Sequence, residues 1–137
     1  MLFVITMSNN KITNVKGRMV FDSRGNPAVE AEIEINKIYT SKAISPSGAS
    51  KGKNEALEKR DNNNNKFCGM SIEKNISIIN TEIKENLIGL YIEDQAIIDK
   101  KLIELDGTLN KSNIGGNTTI AVSMATLRGA AISNKIP

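Results

Sequence analysis

A strict alternation of apolar and acidic residues between positions 29 and 35 constrains the fold more than any other feature. The run Val-Glu-Ala-Glu-Ile-Glu-Ile places apolar side chains at odd positions and glutamates at even ones. A period of two is that of a β-strand, whose successive side chains point to opposite faces of a sheet. One face is expected in the core. The glutamate row is expected to be the solvated face of an antiparallel sheet or, alternatively, a catalytic or metal-binding row.

The flanking residues extend this strand into a three-stranded meander. Residues 12–44 have strand-like patterns, interrupted by two turn sequences, Gly25-Asn26-Pro27 and Asn36-Lys37. Glycine, asparagine and proline favour the backbone conformations of tight turns. The third strand is expected over residues 38–44.

Beyond residue 54 the apolar residues recur at helical spacings of three and four. Asn54 followed by Glu55 predicts the start of a first helix. Three further stripes predict helices packed in the core: Ile72, Ile76, Ile79, Ile83 and Leu87; Ile98, Leu102 and Leu105, closed at Asp106-Gly107; and Ile120, Met124, Leu127 and Ala131. Strands first and helices afterwards indicate an α+β domain, with the antiparallel meander packed on a helical bundle.

Composition excludes several kinds of chemistry. The chain has 137 residues, enough for one domain, which we expect over residues 12–137 after a flexible extension over residues 1–11. It contains no histidine, which excludes Ser-His-Asp and Cys-His catalysis and disfavours a zinc site. Cys68 is the only cysteine, so no intrachain disulfide can form, in keeping with a reducing cytoplasm.

Charge and hydropathy exclude two classes of partner. The net charge is +3, but the lysines are scattered and aromatic residues make up only 4% of the chain. Nucleic-acid binding would favour a basic stripe interleaved with aromatic residues. No apolar run reaches the length of a membrane-spanning helix. We therefore expect neither nucleic acid nor a membrane as a partner.

The connector after the third strand has the composition of a ligand-binding loop. Residues 44–53, Ile-Ser-Pro-Ser-Gly-Ala-Ser-Lys-Gly-Lys, combine small side chains, hydroxyls and two lysines. Glycines let a backbone approach a ligand closely, and oxygen donors suit a magnesium-type ion. The lysines suit a phosphate or a carboxylate. A flexible, solvated connector is the alternative that this composition leaves open.

Three motifs, taken in their order and spacing, resemble the amino-terminal domain of enolase. They are Asp-Ser-Arg-Gly-Asn-Pro-Ala-Val-Glu at 22–30, Pro-Ser-Gly-Ala-Ser at 46–50 followed by Glu-Ala-Leu-Glu at 55–58, and Glu-Leu-Asp-Gly-Thr at 104–108. The resemblance runs from about residue 12 to Pro137. It implies the meander and helical bundle predicted above. It also implies an enzyme that interconverts 2-phosphoglycerate and phosphoenolpyruvate with magnesium.

The resemblance implies roles for individual residues. The family's loop closes over the substrate, and the matching positions here are Ser47, Gly48, Ala49, Ser50, Lys51 and Gly52. The serine that matches Ser50 ligates the second magnesium through its hydroxyl and carbonyl. Arg24 and Glu30 match positions near the family's subunit interface, which implies a homodimer. The alternative for both is an exposed charge at a strand edge.

The resemblance also implies that the chain is only part of the enzyme. In the family, the base, the acid and the carboxylates of the first magnesium site lie on a following C-terminal (β/α) barrel, which is absent from these residues. We therefore expect no catalytic residue in this chain, no activity from it alone, and a barrel partner. A non-catalytic binding or assembly module that keeps the fold is the alternative. Two departures stand out: Lys51 replaces a threonine, and Gly115-Gly116-Asn117-Thr118 replaces Gly-Ala-Asn-Ala.

Overall fold

The computed structural model describes residues 9–48 and 51–137. The strands form one antiparallel sheet in the order β1-β2-β3, with β1 at Ile12–Phe21, β2 at Pro27–Ile35 and β3 at Tyr39–Ile44. The predicted meander is therefore confirmed. Asn36 and Lys37 both adopt positive φ, so this turn forms without a glycine.

The helical half of the domain follows the sheet. Its elements are a 3-10 turn at Phe67–Gly69, α1 at Glu73–Ile78, a π-helical turn at Ile79–Ile83, α2 at Lys84–Leu87, α3 at Gln95–Asp106 and α4 at Gly116–Ser133. Together α1, the π-helical turn and α2 make one helical rod over residues 73–87. Gly107 ends α3 at φ 67°, as the Asp-Gly sequence predicts. Within the described ranges, none of the helices combines the length and apolarity needed to cross a membrane.

The chain ahead of β1 is joined to the rest of the domain. The N–H of Ile92 donates to the carbonyl of Asn10 at 2.9 Å, and Lys11 pairs with Tyr91. The predicted flexible extension falls mainly on residues 1–8, which lie outside the described residues, so its flexibility stays a prediction.

The central strand β2 has the two faces that its alternation predicts. Val29, Ala31, Ile33 and Ile35 are buried, whereas the glutamates between them are partly exposed. Glu32 lies beside Arg18 and within 3.1 Å of the Lys42 Nζ. Burial alone would raise the pKa of Glu32, but hydrogen bonds from these two cations hold it below its ordinary value. On this outer face, Glu30 and Glu32 are thus paired with cations, and Glu34 accepts a hydrogen bond from the Thr13 hydroxyl at 2.8 Å.

The buried face of α4 is not the one expected from its large apolar residues. Its small residues Ala121, Ala125 and Gly129 are buried against the sheet, whereas Ile120 is 46% exposed and Leu127 is 59% exposed. A Cβ at Gly129 would lie 2.9 Å from Ile35 Cδ1. Only small side chains fit at this distance, which agrees with the close packing that the sequence predicts for this small face. The expectation that Ile120 and Leu127 pack in the core is wrong, whereas Met124 of the same stripe does pack against it.

The prediction of a helix that starts at Asn54 is also wrong, because residues 54–61 are not helical. The N–H of Leu57 donates to the carbonyl of Asn110, and its carbonyl accepts from Gly116 N–H, both at 2.7 Å. The side chain of Asn117 accepts from Lys59 N–H at 3.1 Å and donates to the Lys59 carbonyl at 3.0 Å. Tertiary partners thus satisfy the backbone groups that a helix would have paired internally.

The Asp-Gly-Thr motif organises the chain between α3 and α4. The carboxylate of Asp106, which is 1% exposed, accepts hydrogen bonds from the backbone N–H groups of Thr108, Asn113 and Ile114 at 2.9 to 3.1 Å. Burial alone would raise its pKa, but these bonds and the one from the Thr108 hydroxyl hold the pKa below its ordinary value of 3.8. The motif therefore has a structural role in this domain.

Replacement of this carboxylate should destabilise the fold. We expect Asp106→Ala to lower the free energy of unfolding by about 3 kcal/mol, because buried N–H donors lose a charged acceptor. Since the folded pKa is lowered, the contribution of Asp106 is fully present above pH 3.8 and is lost as the pH falls through the folded pKa. Urea unfolding over a pH series measures both effects, with the exposed Asp94→Ala as control. Equal stability of the two variants at neutral pH would contradict this role.

The side chain of Asn117 should be needed to hold residues 57–59 in place. We expect Asn117→Ala to lower the free energy of unfolding by about 2 kcal/mol, because two hydrogen bonds to Lys59 are lost. The Lys59 amide should also exchange its hydrogen faster in a native-state exchange experiment. Asn134→Ala, at the exposed end of the same helix, is the control. An unchanged exchange rate at Lys59 would show that Asn117 does not hold this segment.

Candidate functional site

A cavity of about 520 Å³ lies between the connector after β3 and the start of α4. Its lining comes from three separate parts of the chain: Ser45, Pro46, Ser47, Gly48, Lys51 and Gly52; Glu55, Ala56, Leu57 and Glu58; and Gly116, Asn117 and Ile120. The described members of the predicted substrate loop therefore lie at one cavity. Ala49 and Ser50 lie outside the described residues, so the predicted metal ligand Ser50 stays a prediction.

Two polar contacts hold the beginning of this loop. Arg24 Nη2, from the turn between β1 and β2, donates to the carbonyl of Ser47 at 3.2 Å. The Ser47 hydroxyl donates to Glu58 Oε1 at 3.4 Å, which is long for a hydroxyl–carboxylate hydrogen bond. Arg24 thus lies beside the loop of its own chain. Its predicted place at a subunit interface stays a prediction.

A buried arginine fixes the carboxylate that Ser47 contacts. The side chain of Arg60 is 10% exposed and pairs with Glu58. It also donates to the carbonyls of Pro27 and Met70, the latter at 2.8 Å. This role was not predicted, although Arg60 lies only two residues after Glu58, the last residue of the enolase-like motif. In an extended segment that spacing puts both side chains on one face, which is the signal that could have revealed the pair.

The turn that carries Arg24 is itself braced by a carboxylate. Asp22 Oδ1 accepts from the backbone N–H groups of Arg24 at 2.8 Å and Asn26 at 2.9 Å. The bond from Asn26 is the main reason that the pKa of Asp22 lies below its ordinary value, with further help from the charges of Arg24 and Arg60. The Asp-Ser-Arg-Gly-Asn motif therefore positions Arg24 beside the loop.

Glu30 lies away from the cavity, on the outer face of the sheet. It forms an ion pair with Arg18 on the neighbouring strand, at 3.0 Å between Oε1 and Nε. Facing strands bring the two side chains together, because Arg18 is the register partner of Glu30. The predicted interface role of Glu30 stays a prediction. Arg18, which sequence analysis did not select, would belong to the same surface.

The N-terminal end of α4 forms one wall of the cavity. Gly115 precedes the helix at φ 93°, a conformation that favours glycine. A Cβ at Gly116 would lie 2.9 Å from the Cβ of Ala56, so glycine permits residues 56–57 to touch the helix start. Position 116 is therefore a glycine, where the enolase-like pattern has alanine, at a place where the packing leaves little room for a Cβ. Helix N-termini favour anions, and Lys51 lines the same cavity, although the N–H of Gly116 is already bonded to the carbonyl of Leu57.

The donor atoms at the cavity suit a hard cation only in part. Hydroxyls of Ser45 and Ser47 and carboxylates of Glu55 and Glu58 are oxygen donors of the kind that magnesium prefers. Within residues 9–48 and 51–137, however, no group of three or more His, Cys, Asp or Glu side chains is placed to hold a metal ion. Any magnesium at this cavity would therefore need further ligands.

Comparison with known proteins agrees with the three motifs. The family model described as the N-terminal domain of enolase matches residues 12–137. The enolase of Pelagibacter ubique (strain HTCC1062) is 50% identical over 128 residues, which cover 93% of this chain and 30% of that relative. The chain thus spans less than a third of the length of this curated relative. Because the family model matches residues 12–137, the chain belongs to the enolase family and carries that family's amino-terminal domain.

Proposed function

We propose that this chain is the substrate-loop domain of an enolase that interconverts 2-phosphoglycerate with phosphoenolpyruvate and water in the cytoplasm. The proposal rests on one observation: the enolase-like loop and the N-terminal end of α4 line the same cavity. That reaction removes a proton next to a carboxylate and expels hydroxide. A loop with an anion-favouring helix start beside it suits a strongly anionic substrate.

Within this proposal, the loop at Ser47–Gly52 closes over the bound substrate and excludes water. Lys51 offers its ammonium to the substrate's negative charge. Ser50 offers a hydroxyl and a carbonyl oxygen to the second magnesium. Magnesium, when bound, would supply positive charge that offsets the negative charge created by proton removal, as in enolase-superfamily sites.

The remaining groups would come from a C-terminal barrel. The exposed apolar side chains of Ile120, Leu127 and Ile132 on α4 are the surface on which we place it. The chain contains no histidine. Among the described residues that line the cavity, the only titratable side chains are Lys51, Glu55 and Glu58. We therefore propose that the chain alone is inactive. Arg24 and Glu30 are the proposed contacts of a homodimer.

Reconstitution tests the proposal directly. The chain is mixed with the separately expressed barrel region of the Pelagibacter enolase, and phosphoenolpyruvate formation from 2-phosphoglycerate is followed by absorbance. We expect activity that requires both chains and magnesium. Ser50→Ala should remove most of this activity because a proposed magnesium ligand is lost. Ser133→Ala, at the far end of α4, should leave it unchanged.

Two outcomes would count against the proposal. Activity from the chain alone would show that the catalytic groups lie within it. A complex with the barrel that forms but stays inactive would instead favour a binding or assembly module that has kept the fold. Sedimentation of the mixture distinguishes a failed assembly from an inactive complex.

The exposed face of α4 should make the isolated chain self-associate. We expect dimers or larger species on size-exclusion chromatography with light scattering, because large apolar side chains lie exposed along one helix. Leu127→Glu should shift the chain towards monomer. Ser77→Glu, which adds the same charge at an exposed position of the helical rod, is the control. A monodisperse parent chain that stays monomeric at high concentration would contradict this expectation.

A further inference from the structure

We propose that Asn80 closes the outer edge of β1 and prevents this strand from pairing with a strand of a second copy of the chain. Among residues 9–48 and 51–137, β1 is an edge strand in the order β1-β2-β3, and no other strand of those residues pairs with its outward N–H and C=O groups. Such an edge is a template for pairing with another chain unless it is covered. The proposal rests on contacts around β1 and not on the proposed enzymatic role.

Backbone pairing covers only the beginning of this edge. The N–H of Ile12 donates to the carbonyl of Leu90, and the N–H of Gly89 donates to the carbonyl of Ile12, both at 2.9 Å. The chain then turns away into α3, which begins at Gln95. Further along β1, the edge at Gly17 needs a different partner.

The side-chain amide of Asn80 provides that partner. The N–H of Gly17 donates to Asn80 Oδ1 at 3.0 Å, and Asn80 Nδ2 donates to the carbonyl of Gly17 at 3.1 Å. This is the same two-way exchange that a residue of a neighbouring antiparallel strand would make. Asn80 Nδ2 also donates to the carbonyl of Ile76 at 3.0 Å, which fixes the orientation of the amide. With its donor and acceptor both engaged, Gly17 has no group left for an incoming strand.

Local backbone geometry brings the amide to this position. Asn80 lies in the π-helical turn at Ile79–Ile83, where the helix is wider than an α-helix. A Cβ at Gly17 would lie 2.9 Å from the Cβ of Ile79, so the glycine lets the helical rod rest directly on the strand. The glycine therefore permits the close approach of the rod, and the asparagine supplies the amide that pairs with the strand.

Two nearby features agree with an edge that is protected. Lys16, next to Gly17, is exposed, and a lysine on an edge strand discourages pairing between copies. At the opposite edge of the sheet, Arg128 from α4 donates to the carbonyl of Lys42 on β3 at 2.8 Å. Each outer strand thus carries a side chain from a helix on its backbone.

The test compares Asn80→Ala with two controls, all in the Leu127→Glu background so that association through α4 is reduced. Asn86→Ala removes a partly buried asparagine of the same rod, whose amide donates to the carbonyl of Glu82 and not to β1. Ile79→Val loosens the packing on Gly17 but keeps the amide. Hydrogen exchange at Gly17 by NMR and thioflavin-detected assembly are measured, the latter at urea concentrations that equalise the folded fraction.

We expect Asn80→Ala to exchange the Gly17 amide about tenfold faster, corresponding to the loss of one hydrogen bond. It should also assemble several-fold faster than either control. Asn80→Asp keeps the acceptor for Gly17 N–H but loses the donor to its carbonyl, and should lie between the two. This second variant keeps the test valid if the alanine variant does not fold.

Two results would overturn the proposal. Unchanged exchange at Gly17 would show that Asn80 does not pair with the strand in solution. Assembly of the Asn80 variants at the rate of Ile79→Val, at equal folded fraction, would show that Asn80 only braces the rod and does not guard the edge.

Discussion

Close contact between the small-residue face of α4 and the inner face of the sheet determines where everything else in this domain lies. The Ser41 hydroxyl donates to the carbonyl of Ala125 at 2.8 Å, and Gly129 leaves no room for a Cβ against Ile35. Since the helix lies this close, small side chains occupy the contact, and Ile120 and Leu127 lie exposed away from it, whereas Val122 is buried. The same placement brings the N-terminal end of α4 next to the loop after β3. One packing contact therefore positions both the cavity and the exposed apolar face.

The cavity itself depends on polar groups that replace missing secondary structure. Residues 57–59 belong to no helix or strand, and Asn117 forms two hydrogen bonds with the backbone of Lys59, as a neighbouring strand would. Asn75, which is fully buried, donates to the Thr118 hydroxyl at 2.8 Å and so holds the start of α4 from the other side. Such buried amides stabilise only when their partners are in place. At the edge of β1, the side-chain amide of Asn80 likewise forms two hydrogen bonds with the backbone of Gly17.

Much of the fold and part of the candidate site could be predicted from the sequence. The period of two over residues 29–35 identified β2 and its buried face, and the Asp106-Gly107 pair located the end of α3. The loop at 47–52 was selected by composition and by its resemblance to enolase, and its described residues line the cavity. The role of Asn117 was missed because its partner Lys59 lies on another segment of the chain, and so do the carbonyls of Pro27 and Met70 that Arg60 binds.

The sequence alone determined the elements whose signals are local: strand period, turn residues, the helix stop at Gly107 and the motifs that identify the enolase family. Only the tertiary structure decided which face of α4 is buried, since Gly129 and Ala125 allow a close approach that larger side chains forbid. It also decided that residues 54–61 do not form a helix. Helical propensity there amounts to a few tenths of a kcal/mol per residue, less than the hydrogen bonds that Asn110, Gly116 and Asn117 provide.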